Sequence, residues 1–199
     1  MEPFIYALLY SPALSAFIGA ASAITATFVT EKLQRHRLGK SELEQKLANV
    51  RSTRDEINFY IGKFEKLQGD LLEARRNISL GGKHTVPSYD FSPAYLEQCR
   101  IALGTSKDLG TLTLTTGHCQ FELSHIQGRL RHTKLNLFSL SPSDSDMQKR
   151  SDCMEDISGL VALLDLNIDS FKECQERADG KITELERLVG NYDITHFPY

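Results

Sequence analysis

The sequence predicts an all-α protein: one N-terminal transmembrane helix followed by a cytosolic antiparallel helical bundle of three long helices and one short helix. Two observations predict it. Residues 4–29, FIYALLYSPALSAFIGAASAITATFV, contain no Asp, Glu, Lys or Arg. After them, apolar residues recur on alternating three- and four-residue steps over runs far longer than strands.

The charge-free run exceeds the roughly 20 residues needed to cross a ~30 Å hydrocarbon layer. Pro12 breaks it, so that residues 11–29 span and residues 4–10, with Tyr6 and Tyr10, occupy the interfacial zone. No Lys or Arg precedes the run, whereas Lys32, Arg35, Arg37 and Lys40 follow it. The positive-inside rule then places the protein in the inner membrane as a single-pass chain with its C-terminal domain in the cytoplasm. A cleaved signal peptide is the rival reading, with small residues at Ala21 and Ala23, but no basic stretch opens the chain.

Ser11, Ser15, Gly19, Ala23 and Thr27 recur every four residues. Small residues at that interval let helices approach closely in lipid, so this face predicts self-association. In a ring of copies Ser15, Ser22, Thr25 and Thr27 line a polar path. Residues 31–40 form a basic collar in which Lys32, Arg35, Arg37 and Lys40 meet anionic lipid headgroups.

The domain plan is a spanning segment at 1–30, the collar at 31–40, a bundle at 41–191 and a tail at 192–199. Gly39 offers a bend, and Ser41 with Glu44 forms a capping box for the next helix. In that helix Leu43, Leu47, Val50, Ile57, Ile61, Phe64, Leu71 and Ile78 follow heptad-like steps, with Arg54, Gln68 and Arg75 at the missing ones. Gly81 and Gly82 end it. Ser92 and Pro93 open a short helix that Gly104 closes. A third helix over residues 108–140 carries Leu109, Leu112, Thr116, Cys119, Leu123, Ile126, Leu130 and Leu137 on one stripe, and its Thr-rich start favours irregular first turns. After Pro142, Ser143 with Asp146 caps a last helix whose stripe includes Met154, Ile157, Val161, Leu164, Ile168, Phe171, Ala178, Ile182 and Leu185. Such stripes cannot be hidden singly, which requires a bundle.

The net charge is −3, so general nucleic-acid coating and a DNA partner are not implied. Cys99, Cys119, Cys153 and Cys174 form no CxxC pair, which reads as buried thiols in a reducing compartment. No phosphate loop, Ser-His-Asp set or paired-carboxylate motif is visible, so no enzyme activity and no cofactor are predicted. His118, Glu122 and His125 share a helix side at metal-ligand spacing but flank the apolar stripe, and read as a solvated face rather than a metal site. Arg129, Arg131, His132 and Lys134 form the densest basic cluster outside the collar, suited to phosphate oxygens of an anionic ligand.

Arg76 and Asn77 followed by His84 resemble the ribonuclease motif of HEPN domains, which are helical bundles; here seven residues separate Arg76 from His84, more than that motif has. The architecture as a whole resembles small CRISPR-associated membrane effectors, namely the type VI accessory pore protein with its degenerate HEPN-like bundle and the type III effector that binds cyclic tetra-adenylate. That resemblance implies a homo-oligomeric membrane effector of bacterial antiviral defence that forms or gates a pore. Its implied partners are membrane lipid, other copies of the chain, and a nucleotide second messenger or a CRISPR effector protein. The other readings are a membrane-tethered scaffold or cyclic-oligonucleotide sensor without a pore, and a HEPN-like ribonuclease using Arg76 and His84.

Overall fold

The computed structural model describes the backbone of residues 12–82, 85–140 and 147–196, and side chains of residues 22–82, 85–140 and 147–192. The described residues are helical apart from short connections and hold no strand. The helices are α1 (Pro12–Ser79), α2 (Ala94–Gly104), α3 (Gly110–Ser139) and α4 (Met147–His196), with a 3-10 turn at Lys107–Leu109. The chain divides into a larger unit, Lys46–Arg187, and a smaller one, Met1–Gln45 with Leu188–Tyr199.

Among the described residues no helix is long and apolar enough to cross a membrane. This corrects the expected N-terminal transmembrane helix, and the expected single-pass placement in the inner membrane falls with it. The charge-free stretch is followed at once on the same helix by Glu31, Lys32 and Arg35. Within it Thr27 and Thr30 turn their hydroxyls back to the carbonyls of Ala23 and Ala26, at 2.8 and 2.7 Å. Residues 4–11 of the expected span lie outside the described residues.

The larger unit is an up-down-up-down bundle, and its antiparallel order can be read from side-chain pairs. Arg51 meets Glu186 at 2.6 Å, Gln68 meets Asp165 at 2.5 Å, and Arg150 donates to the carbonyl of Ile78 at 3.2 Å, so numbers fall along α4 as they rise along α1. Asn49 to the Ala102 carbonyl and Tyr60 to the Ser92 carbonyl set α2 against α1 in the same way. Arg100 bonds Gln120 at 3.1 Å and its stem crosses Gly117, where a Cβ would lie 3.1 Å from Cδ, so glycine permits the close α2–α3 approach.

On α1 the buried positions are Leu47, Val50, Thr53, Ile57, Tyr60, Ile61, Phe64, Leu67, Leu71, Ala74 and Ile78. The steps assigned above to Arg54, Gln68 and Arg75 are therefore filled one residue earlier, by Thr53, Leu67 and Ala74. Arg54 and Gln68 instead flank the seam and reach α4, Arg54 to Asp179 at 3.6 Å and Gln68 to Asp165. The α3 stripe is buried as expected, from Leu112 through Leu137. An aromatic cluster centres the core: Phe64 lies 5.0 Å from Phe171 and 5.3 Å from Phe91, ring centre to ring centre.

Helix ends follow local chemistry. Gly81 has φ 81°, and the Gly81 and Gly82 amides bond back to Ile78 and Asn77 at 3.0 and 2.9 Å, a left-handed glycine cap. Residues 85–92 form no regular element, and Phe91 among them is fully buried in the core. Helix α2 begins at Ala94, one residue after the expected start. The Thr-rich opening of α3 is helical, because Thr113 and Thr116 donate to carbonyls four residues back, at 2.9 and 2.8 Å. No break occurs at Ser41, where α1 continues unbroken, and the Ser143–Asp146 cap lies outside the described residues.

Candidate interaction surface

In the smaller unit, residues 22–35 of α1 are exposed throughout. Ile24 keeps 70% of its surface, Phe28 67% and Leu38 71%. Ile24, Phe28, Glu31, Arg35 and Leu38 follow steps of four, three, four and three, which puts them on one seam of the helix. Glu31 and Arg35 pair across one helical turn within the seam. A groove of about 230 Å³ runs there, lined by Phe28, Glu31, Lys32 and Arg35.

The small-residue positions divide by description. Ser22, Ala23 and Thr27 are exposed on α1; Ser15 and Gly19 belong to the helix, but their side chains lie outside the described residues, as does Ser11 altogether. Of the collar, Lys32, Arg35 and Arg37 are exposed and Lys40 is half-buried.

The basic cluster on α3 spreads around its helix. Arg129 reaches toward α4, where its Nη2 lies 3.3 Å from the Cβ position of Gly159. His132 approaches Asp156 at 3.7 Å and also meets Asn136, Arg131 is exposed, and burial pushes the Lys134 ammonium down. These four groups therefore do not converge on one point. His125 approaches Glu122 at 3.8 Å, and among the described residues no group of three or more His, Cys, Asp or Glu is arranged to hold a metal. His84 lies outside the described residues, and Arg76 is exposed near the end of α1.

A larger groove of about 730 Å³ lies between α1 and α2, lined by Ala48, Arg51, Ser52, Asp55, Glu56, Phe59 and Tyr95. Its exposed aromatics flank two carboxylates, and Glu56 Oε1 is buried there with no hydrogen-bond partner. Such a lining suits an apolar group with a cationic end better than a phosphate.

Tertiary packing also makes a pair that the spacing of cysteines did not suggest. Cys119 on α3 and Cys174 on α4 are both buried, and Cys174 Sγ lies 3.9 Å from Thr116 Oγ1, one helical turn before Cys119. Cys119 stood on the α3 stripe, whereas Cys174 was not assigned to the α4 stripe, although it falls on the step between Phe171 and Ala178.

The described bundle defines an all-α class of protein with an up-down-up-down core. No protein-family model matches the chain, no curated protein matches it, and no solved structure matches it. None of these comparisons links it to CRISPR-associated effectors.

Proposed function

We propose that this chain is a homo-oligomeric assembly protein, not an enzyme, and that copies associate antiparallel through the Ile24–Phe28–Glu31–Arg35–Leu38 seam of α1. The observation that carries the proposal is the exposure of Ile24, Phe28 and Leu38 on one heptad face. Covering such side chains is worth about 1.5–3 kcal/mol each, enough to offset the cost of association when several are covered together.

Charge selects the direction and the occupant. Two parallel copies would set Glu31 against Glu31 and Arg35 against Arg35. In an antiparallel pair Glu31 faces Arg35 of the partner subunit, and Phe28 falls opposite Leu38 of the partner subunit. From Phe28 to Leu38 the seam is thus complementary to itself in one orientation.

Sedimentation equilibrium tests this. The wild-type chain is expected to exceed its 22.4 kDa monomer mass, and Phe28→Glu to return it to the monomer. Glu31→Arg alone should weaken association, and Glu31→Arg with Arg35→Glu should restore it. A wild-type monomer that floats with anionic vesicles and is released by Phe28→Glu would overturn the proposal in favour of a lipid surface.

A further inference from the structure

Cys119 and Cys174 retain about 1% of their surface each, and across the α3–α4 contact each thiol shifts the protonation of the other. Cys174 Sγ lies 3.5 Å from Thr115 Oγ1 and 3.9 Å from Thr116 Oγ1. Arg177 stands one turn further along α4, and with Thr111 and Leu112 it lines a groove of about 330 Å³ at the α3–α4 seam. Thr111 is one turn from Thr115 and Arg177 one turn from Cys174, so the groove brings solvent within a helical turn of the thiols. Cys99 and Cys153 stand apart, with burial raising both of their pKa values.

We propose that Cys119 and Cys174 are a peroxide-reactive dithiol that closes to an intramolecular disulfide joining α3 to α4. The pair loses its first proton easily and its second with difficulty, because the remaining S–H donates to the thiolate formed. Hydrogen bonding from Cys119, aided by Thr115, Thr116 and the charge of Arg177, lowers Cys174 to about 6, while the same bond and burial raise Cys119. Cys174 is therefore the nucleophile.

The Cys174 thiolate attacks one oxygen of hydrogen peroxide, the O–O bond breaks, and the departing hydroxide takes a proton to become water. Cys174 is left as a sulfenic acid. The sulfur of Cys119 then attacks the Cys174 sulfur, the S–O bond breaks, and the departing hydroxide accepts the Cys119 proton as a second water. Two thiols lose two electrons, and one peroxide becomes two waters.

The test treats the intact wild-type chain with hydrogen peroxide at neutral pH and maps its peptides without reduction. A Cys119–Cys174 cross-link, with loss of two hydrogens from the chain and reversal by dithiothreitol, is expected. Cys119→Ser should leave a Cys174 sulfenic acid that dimedone traps, and Cys119 in Cys174→Ser should react on the order of tenfold more slowly than that Cys174. Circular dichroism checks that both variants fold. Wild-type protein that yields only sulfinic acid, or links only through Cys99 or Cys153, overturns the proposal without any variant. Because the bundle and the α1 seam are separate in sequence, this result and the oligomer test fail independently.

Discussion

Tyr192 occupies the space that any side chain at Gly39 would need. A Cβ at Gly39 would lie 2.0 Å from the Tyr192 hydroxyl oxygen and 3.0 Å from its Cζ. The Tyr192 ring also meets the His36 ring, with centres 4.8 Å apart and planes tilted by 51°. Glycine inside a helix costs about 1 kcal/mol against alanine, and here that cost is offset by a close contact between α1 and α4 rather than used for a bend.

Gly39→Ala therefore has an effect opposite to its helix propensity. It is expected to cost about 1–3 kcal/mol of local stability by overpacking. Hydrogen exchange should quicken around residues 36–40 and 188–192 while amides of the core in 50–78 keep their protection. Slower exchange near Tyr192 would show that the ring does not need the vacancy.

Phe64 and Phe171 are fully buried and pack edge to face. Truncating either to Ala leaves a cavity beneath Phe91 and Tyr60, with an expected loss of about 3–5 kcal/mol. Urea unfolding should show a lower midpoint at an unchanged slope. A loss below about 1 kcal/mol would contradict the placement of this cluster at the centre of the core.

Asn167 is buried in the core of the larger unit. Its Nδ2 donates to the Leu163 carbonyl at 2.8 Å, but Oδ1 has no hydrogen-bond partner. An unsatisfied buried acceptor carries a desolvation cost, so Asn167→Leu is expected to raise stability by about 1 kcal/mol. Thermal unfolding checks the sign; a lowered midpoint would indicate that the acceptor is satisfied by a buried water.

The loop before α2 is tied down by tyrosines in their neutral form. Burial, then the hydrogen bond to Asp70, raises Tyr89 to about 12, and burial followed by Glu56 raises Tyr60 further. With the unfolded value near ~10, the folded state holds more protons between about pH 10 and 12. That stabilisation is fully present below about pH 10 and is lost as the pH rises through the folded values. Urea midpoints for Tyr89→Phe should fall less steeply across that window than wild type; an equal fall would assign the alkaline loss to other groups.

The surface ion pairs contribute little to this balance. Lys172 and Glu65, 3.9 Å apart and both about half exposed, are worth at most about 1 kcal/mol. Their use is in direction, since Arg51–Glu186, Arg54–Asp179 and Lys172–Glu65 are compatible only with α1 and α4 running antiparallel.

Legibility followed the range of the interactions involved. The α3 stripe, the Gly81 cap and the short helix before Gly104 were readable, because each rests on residues within a turn or two of one another. The seam of α1 was misread by one residue at Arg54, Gln68 and Arg75. Both members of each pair, such as Leu67 and Gln68, fit a heptad step, and only the helix opposite decides which one turns inward. The apolar opening was read as a membrane span from its lack of charge, and among the described residues no helix is long and apolar enough to cross a membrane.

The sequence by itself determined that the chain is helical and that its helices must share a core, since periodic apolar spacing is a property of the chain alone. Tertiary structure decided that Cys119 meets Cys174, that Tyr192 fills the space at Gly39, and that the α3 basic cluster spreads instead of converging. These are meetings between residues far apart in the chain, or choices of helix face, and they follow only once packing has set the rotation of each helix against its neighbours.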